Sequence, residues 1–184
     1  MRLIAGGDSF VWGSELKDHK HGGTRGHSLS TYPAILAKQN SLDYECAAYP
    51  GIGNKEISAR VLKSLSNDSM VIVSWTWQSR DNAINSDDVI QDLCDVLIKS
   101  KIPFFFTCAD NCVLPKLKSE DYRHWWMFPP GINPGHTISP RDFYQWAVEE
   151  GYACGREGHP LEEAHLDAAQ MMSDRFLTLI SERP

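Results

Sequence analysis

The sequence predicts an α/β protein with three layers, α/β/α, around a mostly parallel central sheet. Three observations carry this. Met70–Trp75 and Pro103–Cys108 are uninterrupted apolar runs, the mark of strands covered on both faces. Segments with apolar residues at helical spacing lie between the strand-like runs, for example Ile57, Val61, Leu62 and Leu65. The alternation of the two kinds of segment predicts parallel strands joined by helices on both faces.

In chain order, Arg2–Ala5 reads as a short buried strand ended by Gly6-Gly7. Ser28–Thr31 followed by Pro33 reads as a helix start, with Pro in the first turn and Ile35 and Leu36 facing the core, fading by Asn40. Tyr44–Tyr49 is a second strand, stopped by Pro50-Gly51. Lys55–Ser66 is a helix, Met70–Trp75 a strand. Val89, Ile90, Leu93, Val96 and Leu97 mark a further helix capped by Asn85 or Ser86. Pro103–Cys108 is the fourth strand. Pro160 opens a final helix with Leu161, His165, Ala168, Met172, Phe176 and Leu179 on one face, so His165 reads as a core histidine. Between these, residues 111–140 hold Pro115, Pro129, Pro130, Pro134 and Pro140 with Trp125, Trp126 and Phe128. This long insertion is either a packed surface loop or a lid over a site.

The chain has 184 residues, enough for one domain with its own core. Hydrophobic residues make up 42% and charged residues 23%, which excludes a disordered or collagen-like chain. The net charge of −6 argues against a nucleic-acid partner, and no apolar run approaches the ~18 residues of a membrane span. The opening apolar stretch is too short for a signal-peptide core, and the five cysteines (46, 94, 108, 112, 154) fit neither a disulfide framework nor a zinc site. A cytoplasmic setting with free thiols, no metal and no cofactor is the expectation. His19 and His21, beside Gly22-Gly23, read as a polar loop more readily than as metal ligands. Oligomeric state is not legible.

In a parallel sheet, sites gather at the carboxyl ends of the strands. That nominates Gly6–Phe10, Pro50–Asn54, Trp75–Arg80 and Ala109–Cys112. In the first, Gly7-Asp8-Ser9-Phe10, a serine in a tight strand-to-helix turn presents its hydroxyl at the sheet edge, with nearby backbone N–H groups able to face an oxyanion. Taken alone it reads more readily as an ordinary turn or helix cap. In Glu157-Gly158-His159-Pro160, a histidine just before a Pro-initiated helix is placed to act as a base, and Glu157 could accept from its far ring nitrogen. The plain alternative is an exposed histidine near a helix start.

Together these blocks resemble the SGNH (GDSL-like) hydrolases. The resemblance rests on Gly7-Asp8-Ser9-Phe10, on Pro50-Gly51-Ile52-Gly53-Asn54, and on His159-Pro160 with His165, in that order along nearly the whole chain. The opening Gly-Asp-Ser-Phe-Val-Trp-Gly-Ser-Glu-Leu and the closing Gly-His-Pro-Leu-Glu-Glu-Ala-His look most like the small, phage-encoded branch, which implies a host-cytoplasmic or virion setting. The resemblance implies a flavodoxin-like topology and a metal-free hydrolase of small esters, including O-acetyl groups on carbohydrate, working through an acyl-enzyme. It implies Ser9 as nucleophile and His159 as general base, with the N–H groups of Ser9 and of Gly51 or Gly53 in the oxyanion hole. Asp8 orders the turn.

Two positions depart from the family pattern. The acid three residues before the histidine is replaced by Arg156, which makes Glu157 the candidate. The third block lacks its Gly-x-Asn and reads Ser74-Trp75-Thr76-Trp77-Gln78-Ser79-Arg80; either Gln78 or Asn54 supplies the amide, or the donor is missing. Losing one such donor costs ~2.7–4 kcal/mol of transition-state stabilisation. Arg80 could meet an anionic substrate group or a carboxylate such as Asp81, and two or three of the tryptophans could stack on a sugar or equally pack in the core and loops. The rival reading is a catalytically weak or inactive carbohydrate-binding or virion-associated protein of the same fold. A nucleotide or phosphate binder is a weaker third, since Gly6-Gly7-Asp8-Ser9 has no phosphate-loop lysine.

Overall fold

A computed structural model describes residues 1–19, 26–81, 85–110, 121–130 and 140–181. Four strands, β1 (Arg2–Gly6), β2 (Asp43–Cys46), β3 (Ser69–Trp75) and β4 (Phe104–Cys108), form one parallel sheet in the order β2-β1-β3-β4. Register is set by pairs such as Leu3 with Met70 and Ile72 with Phe105. The helices are α1 (Ser9–Trp12), α2 (Tyr32–Gln39), α3 (Asn54–Ser64), α4 (Ser86–Lys99), α5 (Phe143–Glu149) and α6 (Glu162–Ser181).

The two-residue side-chain period of the strands divides the core into two layers. Leu3, Met70, Ile72 and Phe105 face α2, α5 and α6, where Leu36, Phe143, Met172 and Phe176 are buried. Ile4, Val71, Val73 and Phe106 face α3 and α4, where Ile57, Val61, Ile90 and Leu93 are buried. Every residue of β3 and β4 is buried, as the continuous apolar runs predict.

The remaining differences are local. The second strand ends at Cys46, not Tyr49, although the chain still follows β1 beyond it, the Ala47 and Tyr49 N–H groups donating to Ala5 O (2.9 Å) and Gly7 O (3.2 Å) before Pro50. Leu36 is fully buried but Ile35 only partly, and Val96 is 38% exposed on α4. Asn85 is the α4 cap, its side chain accepting from the Asp87 N–H (3.2 Å). Helices α1 and α5 carry no legible period because they are four and seven residues long. His165 is buried, and its Nδ1 accepts the Tyr32 N–H (3.3 Å). Burial holds its pKa down at about 3, so the ring stays neutral.

Of the insertion, Phe128 is fully buried and stacks on Trp146 (4.5 Å), while Trp125 packs edge-on against Phe106 (5.6 Å). Pro115, Pro134, Cys112 and His21 lie outside the described residues. Among the described residues, no helix is long and apolar enough to cross a membrane.

Candidate active site

The carboxyl end of β1 runs through Gly6-Gly7-Asp8 into α1. Gly7 is required by packing, since a Cβ there would sit 2.5 Å from a Val11 methyl. Asp8 is fully buried and caps α1: the Phe10 N–H donates to its Oδ1 (3.1 Å). Its Oδ2 accepts from the Thr76 hydroxyl (2.7 Å) and from Arg80 Nη1 (2.8 Å). Both of its oxygens are therefore engaged, one in the turn and one in holding the end of β3 and Arg80 against it. Ser9, 8% exposed, is the first residue of α1 and lines a cavity of about 560 Å³.

His159 lines the same cavity, its ring edge-on to Phe10 (5.2 Å). Its Nδ1 lies 2.8 Å from Oε2 of Glu15. An ionised carboxylate only accepts, so Nδ1 carries the proton and the neutral ring keeps Nε2 as an acceptor. Glu15 also accepts the backbone N–H groups of Glu157 (2.9 Å) and His159 (3.3 Å). Burial alone would raise its pKa; these hydrogen bonds outweigh burial and hold the carboxyl below its ordinary range.

Two backbone features bring Glu15 there. Glu15 itself is left-handed (φ 69°), a conformation costing ~1–3 kcal/mol outside glycine. Opposite it, a Cβ on Gly155 would fall 2.5 Å from the Glu15 Cδ, so only glycine leaves room for the carboxylate. The 155–159 turn closes on itself through Gly155 N–H to His159 O (2.8 Å) and Gly158 N–H to Gly155 O (3.1 Å).

Glu157 is therefore not the partner of His159 Nδ1. Its backbone joins the site through Glu15, while its side chain is exposed at the cavity mouth. Its carboxylate lies near the pair, but Glu15 already holds Nδ1.

By sequence, no protein-family model and no curated protein matches the chain. Solved structures do. The psychrotrophic esterase EstA from Pseudoalteromonas sp., in a form inhibited by monoethylphosphonate, superposes with a TM-score of 0.60 at 10% identity, covering 98% of this chain and 99% of that one. A G-D-S-L-family protein from Desulfitobacterium hafniense gives 0.51 at 13%, covering 94% and 98%. A family two carbohydrate esterase from Clostridium thermocellum, seen with cellohexaose, gives 0.58 at 12%, covering 98% of this chain and 64% of that one.

The chain has the SGNH-hydrolase fold.

Within that fold, the amide candidates turn away from the cavity. Asn54 is fully buried and ties α3 to the end of β3: its Oδ1 accepts the Thr76 N–H (2.9 Å), and its Nδ2 donates to Thr76 O (2.9 Å) and Ser86 Oγ (3.2 Å). Gln78 is exposed and donates to Asp87 (3.2 Å). Gly53 is not a cavity residue either. Its bare backbone admits the Asp81 carboxylate, which accepts the N–H groups of Asn54 (2.8 Å) and Lys55 (3.1 Å) and caps α3. Gly51 does line the cavity, in a left-handed conformation (φ 77°).

The third block reaches the cavity instead through Trp77 and Arg80, with the guanidinium 4.9 Å over the indole. Arg80 pairs with Asp8, not Asp81. Of the tryptophans, Trp77 alone lines this cavity; Trp75 and Trp146 are core. Sequence reasoning missed Glu15, Asp110 and Tyr144. Glu15 stood inside the opening block, but nothing there tied it to His159, 144 positions away; Asp110 lay within a nominated strand end.

Glu15, Glu157 and His159 also have donor atoms within 4.8 Å of one another, close enough to share a cation. However, Glu15 is already committed to three N–H donors, and a metal on Nδ1 would displace the proton that Glu15 accepts. The donor set suits a proton relay better than an ion.

Proposed function

We propose that this chain is a serine ester hydrolase. Ser9 Oγ attacks the acyl carbonyl while His159 Nε2 takes its proton. The proton passes to the departing alcohol, and water then cleaves the acyl-enzyme through the same base. Glu15 fixes the tautomer and stabilises the imidazolium. The backbone N–H groups of Ser9 and Gly51 are the oxyanion donors, with no side-chain amide from the third block. The observation that carries this reading is the part-buried Glu15–His159 pair opening onto the cavity that Ser9 lines. A small acyl ester, including an acyl group on carbohydrate, suits the cavity's size and its aromatic wall.

The test is labelling by a fluorophosphonate together with short-chain aryl-ester turnover. Wild type is expected to label and turn over, and Ser9→Ala to do neither. The position of Asn54 and Gln78 favours one rival, a binding protein of the same fold with a weakened oxyanion hole. Absent labelling and equal turnover in both proteins would select that rival.

A further inference from the structure

The end of β4 places one more acid in the cavity, and the proton relay does not use it. Asp110 follows Ala109, whose N–H donates to Trp75 O (2.8 Å) and whose carbonyl accepts the Tyr144 N–H (2.9 Å). The backbone here is thus pinned to β3 and to α5. The Asp110 side chain lines the cavity, is 9% exposed, and has no hydrogen bond or ion pair among the described residues. Burial, then the Asp142 and Asp8 carboxylates, push its pKa up to about 6, with Arg80 pulling the other way. The carboxylate opens onto the cavity from a partly desolvated position, where a hydrogen bond from a ligand hydroxyl to a charged acceptor is worth more than in water.

The surroundings indicate which donor. Trp77 and Tyr144 offer ring surface at the cavity wall. Arg80, the one cation among the lining residues, is already paired with Asp8, while Glu157 adds negative charge. An anionic group is disfavoured in such a field; an uncharged group with O–H donors and C–H faces fits both the carboxylate and the rings.

We propose that Asp110 is a specificity-determining residue that accepts a hydrogen bond from a hydroxyl on the alcohol part of the substrate. The substrate is then an acyl ester of an uncharged, polyhydroxylated alcohol of monosaccharide size. This rests on the hydrolase reading above and narrows it.

The experiment compares kcat/KM of wild type, Asp110→Asn and Asp110→Leu on two acetates: an aryl acetate without hydroxyls and an acetylated methyl glycoside. The glycoside-to-aryl ratio is expected to fall about 10- to 100-fold in Asp110→Leu, mainly through KM. It falls less in Asp110→Asn, whose amide oxygen still accepts. An equal fall on both esters, or none, overturns the assignment while leaving the hydrolase intact. Binding of the free methyl glycoside to Ser9→Ala, followed by ligand-observed NMR, gives a readout without turnover. Weaker binding after adding Asp110→Leu supports the proposal; unchanged or undetectable binding overturns it. Failure of wild type to take the fluorophosphonate is a separate result and removes the Ser9 reading itself.

Discussion

Replacing Glu15 by Gln tests the reasoning about the site most directly, because it keeps the side chain's shape and removes its charge. The carboxylate serves three donors: Oε1 accepts the Glu157 N–H, and Oε2 accepts both the His159 N–H and Nδ1. An amide has one oxygen and cannot serve both sides. With its oxygen toward His159, its NH2 meets the Glu157 N–H, donor against donor. With its oxygen toward Glu157, its NH2 donates to Nδ1 and drives the proton onto Nε2, where it blocks the base. The first arrangement loses a hydrogen bond to a charged group, ~1.5–3 kcal/mol, or about 10- to 150-fold in kcat. The second imposes the wrong tautomer, which in a serine protease costs about 10⁴. Turnover of a short-chain aryl ester is therefore expected to fall between those bounds, with a thermal melt confirming the fold. Glu157→Gln, altered only at the cavity mouth, is expected to stay within about threefold of wild type. Near-full activity in Glu15→Gln together with a hundredfold loss in Glu157→Gln would refute the assignment.

Gly155→Ala should behave like a weaker Glu15 variant, because its methyl group occupies the space of the Glu15 carboxylate; kcat is expected to drop at least tenfold, and full activity would show that Glu15 is dispensable. Asp110 has a folded pKa of about 6, above its unfolded value. The native state therefore holds the extra proton, and stability falls as pH rises from about 4 to about 6. Asp110→Asn removes that fall and should be the more stable protein at pH 7 in urea titrations; an unchanged pH slope would contradict the burial argument. His165 runs the other way. Its folded pKa of about 3 lies below the unfolded value, so stability is full above about pH 6.5 and is lost on acidification at about 1.4 kcal/mol per pH unit. His165→Gln, which keeps an acceptor for the Tyr32 N–H, is expected to flatten that slope between pH 6 and 4, and equal slopes would exclude a neutral buried ring.

Much of the architecture can be read locally. The apolar runs at Met70–Trp75 and Pro103–Cys108 need partners on both faces wherever they lie, and the stripe from His165 to Leu179 on α6 needs a sheet to cover. Asp8 ordering its turn is likewise local, since the Phe10 N–H lies two residues away. Short elements escaped because a single turn of α1, or two of α5, shows no period.

The sequence by itself determined the order of the longer elements, the parallel sheet, and the strand ends at which a site could form. These depend on hydrophobic spacing and turn chemistry within a few residues. Only the tertiary structure decided that Glu15 stands behind His159, that Asn54 and Gln78 face away, and that Asp110 lines the cavity. Each outcome depends on which side chain occupies a small volume shared by distant segments. For Glu15 that volume exists because Gly155, far along the chain, has no Cβ and Glu15 accepts a left-handed backbone. Spacing along the chain carries no record of that coincidence.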